Sequence, residues 1–419
     1  MLTVYVFSPV TTVLDSAWVL HTSMSILREG NIDLDEYQAI FSAPNDYHLE
    51  RVGNHTYYYF PLGTSLLTTP MLAAADLAAG LARFDLGKYF LTHGPVAFDP
   101  WLPLNLMERV FASTFAALTV VVMYGIARHF LAVPRALVVV FIFAFCTSAW
   151  TTASRGLWAH GPSMLMLALA FYILLRAEAQ PRWIPFAALP LALAYIIRPT
   201  NSISLVILSL YVLVRHRRAI IPYTLLGALI LLPFFLYNST VYQNWLPPYF
   251  HPQGLTITPA IMEPLAANLV SPSRGLLIFS PIVLLSIGGL VLALQDRSHR
   301  ALALALAVIL VLHSFIIASV NHWARGWVAG WAIGPRLYTD MLPYLIYFLI
   351  PVLAWLPALS KTWRVLAAAG LVVLATTSFA IHFHCATSMA CMAWNYTPID
   401  IDRAPQRIWD WSDPQFLRR

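Results

Sequence analysis

Charge is what this chain has least of. Of its 419 residues only 11% are charged, against 59% hydrophobic, and the mean hydropathy is +0.69. A soluble globular protein carries roughly 25% charged residues, so a water-facing surface over most of this length is excluded. Cysteine is sparse too. Cys146 lies inside an apolar run, while Cys385 and Cys391 stand six positions apart in the tail. If the tail is extracytoplasmic, those two can pair. No secretory signal peptide is evident, and no internal repeat of the transporter kind is found.

What the chain does have is a succession of apolar runs. Stretches such as Ala136 to Trp150 and Ala301 to Val320 hold no ionised side chain, which is the signature of membrane-spanning helices. The net charge of +6 comes from basic residues clustered in short turns between these runs. That placement reports orientation in a bilayer and excludes nucleic acid as the partner.

The clusters Arg128-His129 with Arg135, 176–182, 215–218, 296–300 and 361–364 mark cytoplasmic turns. The spans between them fall at 105–131, 135–153, 161–177, 183–198, 199–214, 219–239, 275–295, 300–320, 336–358 and 364–384. A strictly alternating path places 154–162, 240–274, 321–335 and the tail 385–419 outside. Residues 15–104 then form one extracytoplasmic loop, with 61–82 as an interfacial or re-entrant helix carrying Asp76. The first span is short: fourteen residues, interrupted by Pro9, precede Asp15. It implies either a start upstream of Met1 or a local thinning of the membrane. The expected fold is all-α: a polytopic membrane domain of eleven spans over 1–384, and a short tail.

Charges at membrane level single out the candidate site, because a charge at a helix centre costs about 2.5–3.5 kcal/mol. Asp15 sits where the first helix leaves the bilayer, partly desolvated, and suits a general base. The alternative is that it caps the helix from Ser16 to Arg28. Asp33, Asp35 and Glu36 could hold a divalent cation, or form a solvated acidic turn. Arg109, Arg155, Arg198, Arg274, Arg325 and Arg336 lie at or near the outer ends of spans, where lysine is nearly absent. Arginine offers a permanently charged fork matched to phosphate oxygens. Each alone could snorkel to lipid headgroups; together they point to a shared anion site. The run from Asn321 to Arg336 sets Trp323, Trp327 and Trp331 among glycines, as a sugar platform or an interfacial aromatic belt. His313, His322, His382 and His384 lack the spacing of a metal motif and read as polar core or interface residues.

On these residues the chain resembles the GT-C superfamily of lipid-phospho-sugar glycosyltransferases, in the bacterial branch related to protein O-mannosyltransferases and the lipid A aminoarabinose transferase. The parallels are Asp15 after the first helix, the long external loop, and the step Tyr59-Phe60-Pro61-Leu62-Gly63. The span opening Met107-Glu108-Arg109 and the tryptophan-rich loop ending Gly334-Pro335-Arg336 extend them. The resemblance implies an inverting transfer in which Asp15 deprotonates or orients an acceptor hydroxyl. The donor would be a polyprenyl-phosphate sugar lying in a groove between helices, its phosphate held by arginine. The acceptor would be a lipid, a glycan or a protein, and Arg109 would have a structural or phosphate role. The chain departs from the family at Ser16, where relatives usually carry a second acid. It departs again at Thr64, where the mannosyltransferases have lysine, and it has no large C-terminal domain.

The expectation is therefore a glycosyltransferase of the bacterial inner membrane with its active site on the extracytoplasmic face. Asp15 is the base, and Arg274, Arg336 and Arg155 lead the phosphate candidates. His160, Trp323, Trp327, Trp331 and Tyr59 line the sugar or acceptor pocket. A transporter or flippase for a lipid-linked glycan is the main rival; a non-catalytic scaffold for cell-envelope enzymes is the second.

Overall fold

A computed structural model of the chain describes residues 1–12, 15–41, 46–95, 99, 101–251, 261–319 and 326–419. The described residues are overwhelmingly helical, with one two-stranded hairpin. Six helical segments are long and apolar enough to cross a membrane: Pro103–Phe130, His160–Ala179, Arg217–Val241, Arg300–Ser319, Arg336–Ala358 and Lys361–Thr387. Four shorter apolar segments, Val133–Phe145, Pro181–Ile197, Pro199–Arg215 and Pro281–Gln295, complete the bundle. This is the architecture of an all-α membrane protein.

The N-terminal part is built from α1 (Leu2–Phe7), α2 (Val19–Arg28), strands β1 (Leu49–Val52) and β2 (His55–Tyr58), α3 (Gly63–Leu81) and α4 (Leu86–Thr92). Helix α1 ends at Ser8, before Pro9, which cannot donate to a helical hydrogen bond. It is six residues long, far below a bilayer crossing. The hairpin was not foreseen. Its two-residue turn is Gly53-Asn54, with Val52 paired to His55 and Gly53 at φ +61°. A Gly-Asn pair between aromatic and β-branched residues is a hairpin signal. Helices α3 and α4 bend by 109° at their junction, as a re-entrant or broken element does, and Asp76 on α3 takes both of its hydrogen bonds from Arg28 on α2, at 2.7 and 2.8 Å.

The bundle follows as α5 (Pro103–Phe130), α6 (Val133–Phe145), α7 (His160–Ala179), α8 (Ala188–Ile197), α9 (Ser202–Arg215) and α10 (Ile220–Val241). Then come α11 (Met262–Val270), α12 (Leu276–Phe279), α13 (Leu284–Gln295), α14 (Arg300–Ser319), α15 (Leu342–Tyr347), α16 (Leu349–Trp355) and α17 (Lys361–Thr387). Helix α7 is the centre, packed on α5 and α8 and buried along nearly its whole length. Several expected spans are not continuous helices. After α6 the chain makes a π-helical turn at Ala149–Ala153. Ser280-Pro281 breaks 275–295, and the 336–358 segment opens as a 3₁₀ turn, Arg336–Met341. Each break falls where proline or a buried polar side chain competes with the helical ladder. At Ser280 the hydroxyl bonds His382, 2.8 Å away, whose other nitrogen meets Thr151 at 3.0 Å.

The tail after α17 folds back on the bundle, against Arg274 and the 330–334 segment. Cys385 and Cys391 form a disulfide, while Cys146 is free and buried. Gln415 accepts from Gly334 N–H at 2.9 Å and donates to the carbonyls of Ala332 and Cys391. Three cysteines with one bridge predict a simple stoichiometry. Denatured, unreduced protein should react with one maleimide, and reduced protein with three; three before reduction would contradict the pairing.

Candidate functional site

Asp15 lies just before α2, where Val19 N–H bonds the Ser16 carbonyl. No described bond caps α2 through the Asp15 side chain; its carboxylate instead forms an ion pair with the NH2 group of Arg336, and Tyr58 Oη donates to its backbone carbonyl. The pair is neither buried nor free: the side chains are 25% and 15% exposed. That leaves it open to a ligand yet poorly solvated.

Arg336 is held on every side. Its Nε donates to His160 Nε2 at 3.2 Å and its NH1 to the Ala329 carbonyl at 3.1 Å, while the guanidinium lies 3.7 Å from the centroid of the Trp158 ring. His160 Nδ1 lies 3.0 Å from Asp340 Oδ1, and Arg198 NH1 lies against both ring nitrogens of His160. Asp340 is fully buried and also meets Arg198 NH1 at 3.1 Å. The centre thus comprises Asp15, Arg336, Trp158, His160, Asp340 and Arg198. His160 begins α7, Arg198 ends α8, and Arg336 and Asp340 share the 3₁₀ turn.

Two local devices place these groups. A Cβ at Gly63 would lie 2.6 Å from the Ile197 nitrogen, so only glycine lets α3 touch the end of α8, one residue before Arg198. Glu108, buried on α5, accepts from the Leu157 N–H at 2.7 Å and from the Ser16 hydroxyl, tying the segment after Asp15 to the one before Trp158. Beside the centre, Tyr249 stands edge-on to Tyr59 at 5.5 Å. Burial lifts the Tyr249 hydroxyl above its ordinary value, against the pull of the nearby Arg198 and Arg336 cations.

The other expected residues lie elsewhere. Arg155 is fully buried and donates to the carbonyls of Tyr5, Ser8 and Val10, and Arg109 donates to Ser8 at 3.3 Å and faces Trp101. They serve the irregular backbone after α1, since carbonyls at membrane depth need internal donors. Arg274 donates to the carbonyls of Ser273, Val328 and Gly330 and to Gln415 and Asn395, stapling the tail. Among the described residues, the expected ring of arginines therefore reduces to Arg336, on Asp15, and Arg198, on the His160–Asp340 pair. Trp327 packs with Trp394 and Ile408, and Trp331 donates to Asp400 at 3.2 Å, so both face the tail. Tyr59 reaches the centre only through Tyr249. Trp323, Arg325 and His322 lie outside the described residues.

The acidic turn is also rearranged. Glu36 turns away to accept from Ser25, and its place is taken by His55: Asp33, Asp35 and His55 present ligand atoms within 4.8 Å of one another. Asp35 bonds His55 Nδ1 at 2.7 Å and Thr56 N–H at 2.9 Å, so the group already anchors the hairpin. It is the set that could take a divalent cation. Asp46 is a second anchor: burial pushes its carboxyl up, but donation from the His48 backbone and ring and from Trp18 outweighs this and holds it below the ordinary range. A mainly apolar groove of about 440 Å³, between Phe7, Phe145, Trp150 and Phe383, runs past Ser8 and shares no residue with the Asp15 centre.

Comparison with family models, with curated proteins and with solved structures finds no match to this chain.

Two side chains escaped the sequence reading. Asp340 stood in an otherwise apolar span, where an ionisable residue marks function by default, and Trp158 stood two residues from His160. The geometry separates two classes of arginine. Arg274→Ala should destabilise the fold by about 3–5 kcal/mol, since it strands several buried acceptors. Arg336→Ala should cost about 1 kcal/mol, as a part-exposed pair does. Thermal unfolding in detergent ranks them, and equal losses would refute the distinction.

Proposed function

We propose that this chain is a membrane glycosyltransferase that moves a sugar from a polyprenyl-phosphate carrier to an extracytoplasmic hydroxyl. The observation that carries the reading is the half-open Asp15 carboxylate set against Arg336, with Arg198 behind it and Trp158 beside it. A base, two phosphate-matched cations and an aromatic face are what such a transfer requires.

Two features support the extracytoplasmic side. The disulfide belongs to the tail that packs on the Arg274 and Gly334 framework, beside Arg336, and disulfides persist in oxidising compartments. The basic turns sit at the opposite helix ends, as cytoplasmic turns do. Six long and four short apolar segments, with α1 as a partial crossing, accommodate the eleven-span path. The bacterial inner membrane fits both.

In the proposed step Asp15 accepts the proton of the acceptor hydroxyl. The acceptor oxygen bonds the anomeric carbon as the bond from that carbon to the phosphate oxygen breaks. The bonding electrons leave with the polyprenyl phosphate, whose added negative charge Arg336 and Arg198 stabilise in a poorly solvated site. The proton remains on Asp15 until solvent takes it.

Asp15→Asn should lower release of polyprenyl phosphate from a radiolabelled donor by about 10²–10⁴-fold in proteoliposomes, the span of general-base effects. Near-normal release by that variant would refute the base. Transfer of labelled donor across the bilayer without release would identify a flippase instead.

A further inference from the structure

In the resting centre the base is not free to act. Arg336 has three nitrogens, and each has a protein partner: His160 Nε2 for Nε, the Ala329 carbonyl for NH1, and the Asp15 carboxylate for NH2. Trp158 covers the flat face. The first two partners are fixed by the fold. His160 is pinned by the buried Asp340, and Ala329 is a backbone oxygen. Only Asp15 is both charged and part-exposed, so it alone can be exchanged for an incoming anion.

The charge count agrees. Within this contact set Asp15 and Asp340 balance Arg336 and Arg198, with His160 neutral because its Nε2 accepts from Arg336. A phosphate therefore meets an uncompensated Arg336 here only when a carboxylate leaves. Asp340 cannot leave, because it is buried and held by both His160 and Arg198. Arg198 bonds through NH1 alone; its Nε and NH2 have no protein acceptor among the described residues. A phosphate arriving at Arg336 NH2 therefore finds a second cation ready.

We infer that the donor's phosphate binds by displacing Asp15 from Arg336, so that donor binding itself releases the base. The inference rests on the transferase reading. It sets an order: donor first, acceptor second. Before the donor arrives, the guanidinium occupies the carboxylate that must take the acceptor's proton.

The test is equilibrium binding of a polyprenyl phosphate to detergent-solubilised protein, with wild type, Asp15→Asn, Asp15→Ala and Arg336→Ala compared. Removing a competing part-exposed carboxylate should tighten binding about threefold to tenfold, in variants that have lost turnover. Arg336→Ala should lose binding. Two substitutions at Asp15 guard against one misfolding, and thermal unfolding identifies any that does. If wild type binds and neither Asp15 variant binds more tightly, the displacement is overturned and the transferase reading stands. If wild type does not bind the lipid phosphate, the transferase reading falls, and the displacement with it.

Discussion

The proposed centre depends on one guanidinium, Arg336, held in place by a chain of contacts that ends on a buried carboxylate. Asp340 holds the His160 ring, His160 meets Arg336 Nε, and Arg336 meets Asp15. A buried carboxylate carries a desolvation cost of several kcal/mol and persists only when well paired; here Arg198 and His160 supply that pairing. Two further contacts position the centre. Gly63 allows α3 to meet the residue before Arg198, and Glu108 joins the Asp15 segment to the Trp158 segment.

Arginine does two different jobs here, and both burial and the nature of the acceptors tell them apart. Arg155 and Arg274 are buried, and their donors end on backbone carbonyls, amide side chains and the Ser154 hydroxyl. They make non-helical backbone tolerable between spans, where water is scarce. Among the described candidate arginines, Arg336 is the one paired with a part-exposed acid. The useful distinction is whether a guanidinium's acceptors belong to the fold or could be replaced by a ligand.

Much of the fold was legible in the sequence because the bilayer imposes it. Apolar runs and basic turns located the helical segments, and Asp15 stood out because nothing but function or capping explains a carboxylate there. The pairing with Arg336 was within the expected set, as was His160. The details were hidden by tertiary context. Sequence could not say that the acceptors for Arg155 are the carbonyls of Tyr5, Ser8 and Val10, since backbone groups carry no residue signature. Trp327 and Trp331 looked like a sugar platform because glycines flank them, yet the folded-back tail covers that face. Asp340 was legible as the one acid inside the 336–358 span. The Gly53-Asn54 turn was also legible, but lay in a segment read only for its acids.

The most direct test of the proposed activity is the position of a bound lipid phosphate in a cryo-electron microscopy map of the protein in nanodiscs. The transferase reading predicts phosphate density between Arg336 and Arg198, within reach of Trp158. Phosphate density confined to the opposite, basic ends of the helices would contradict it.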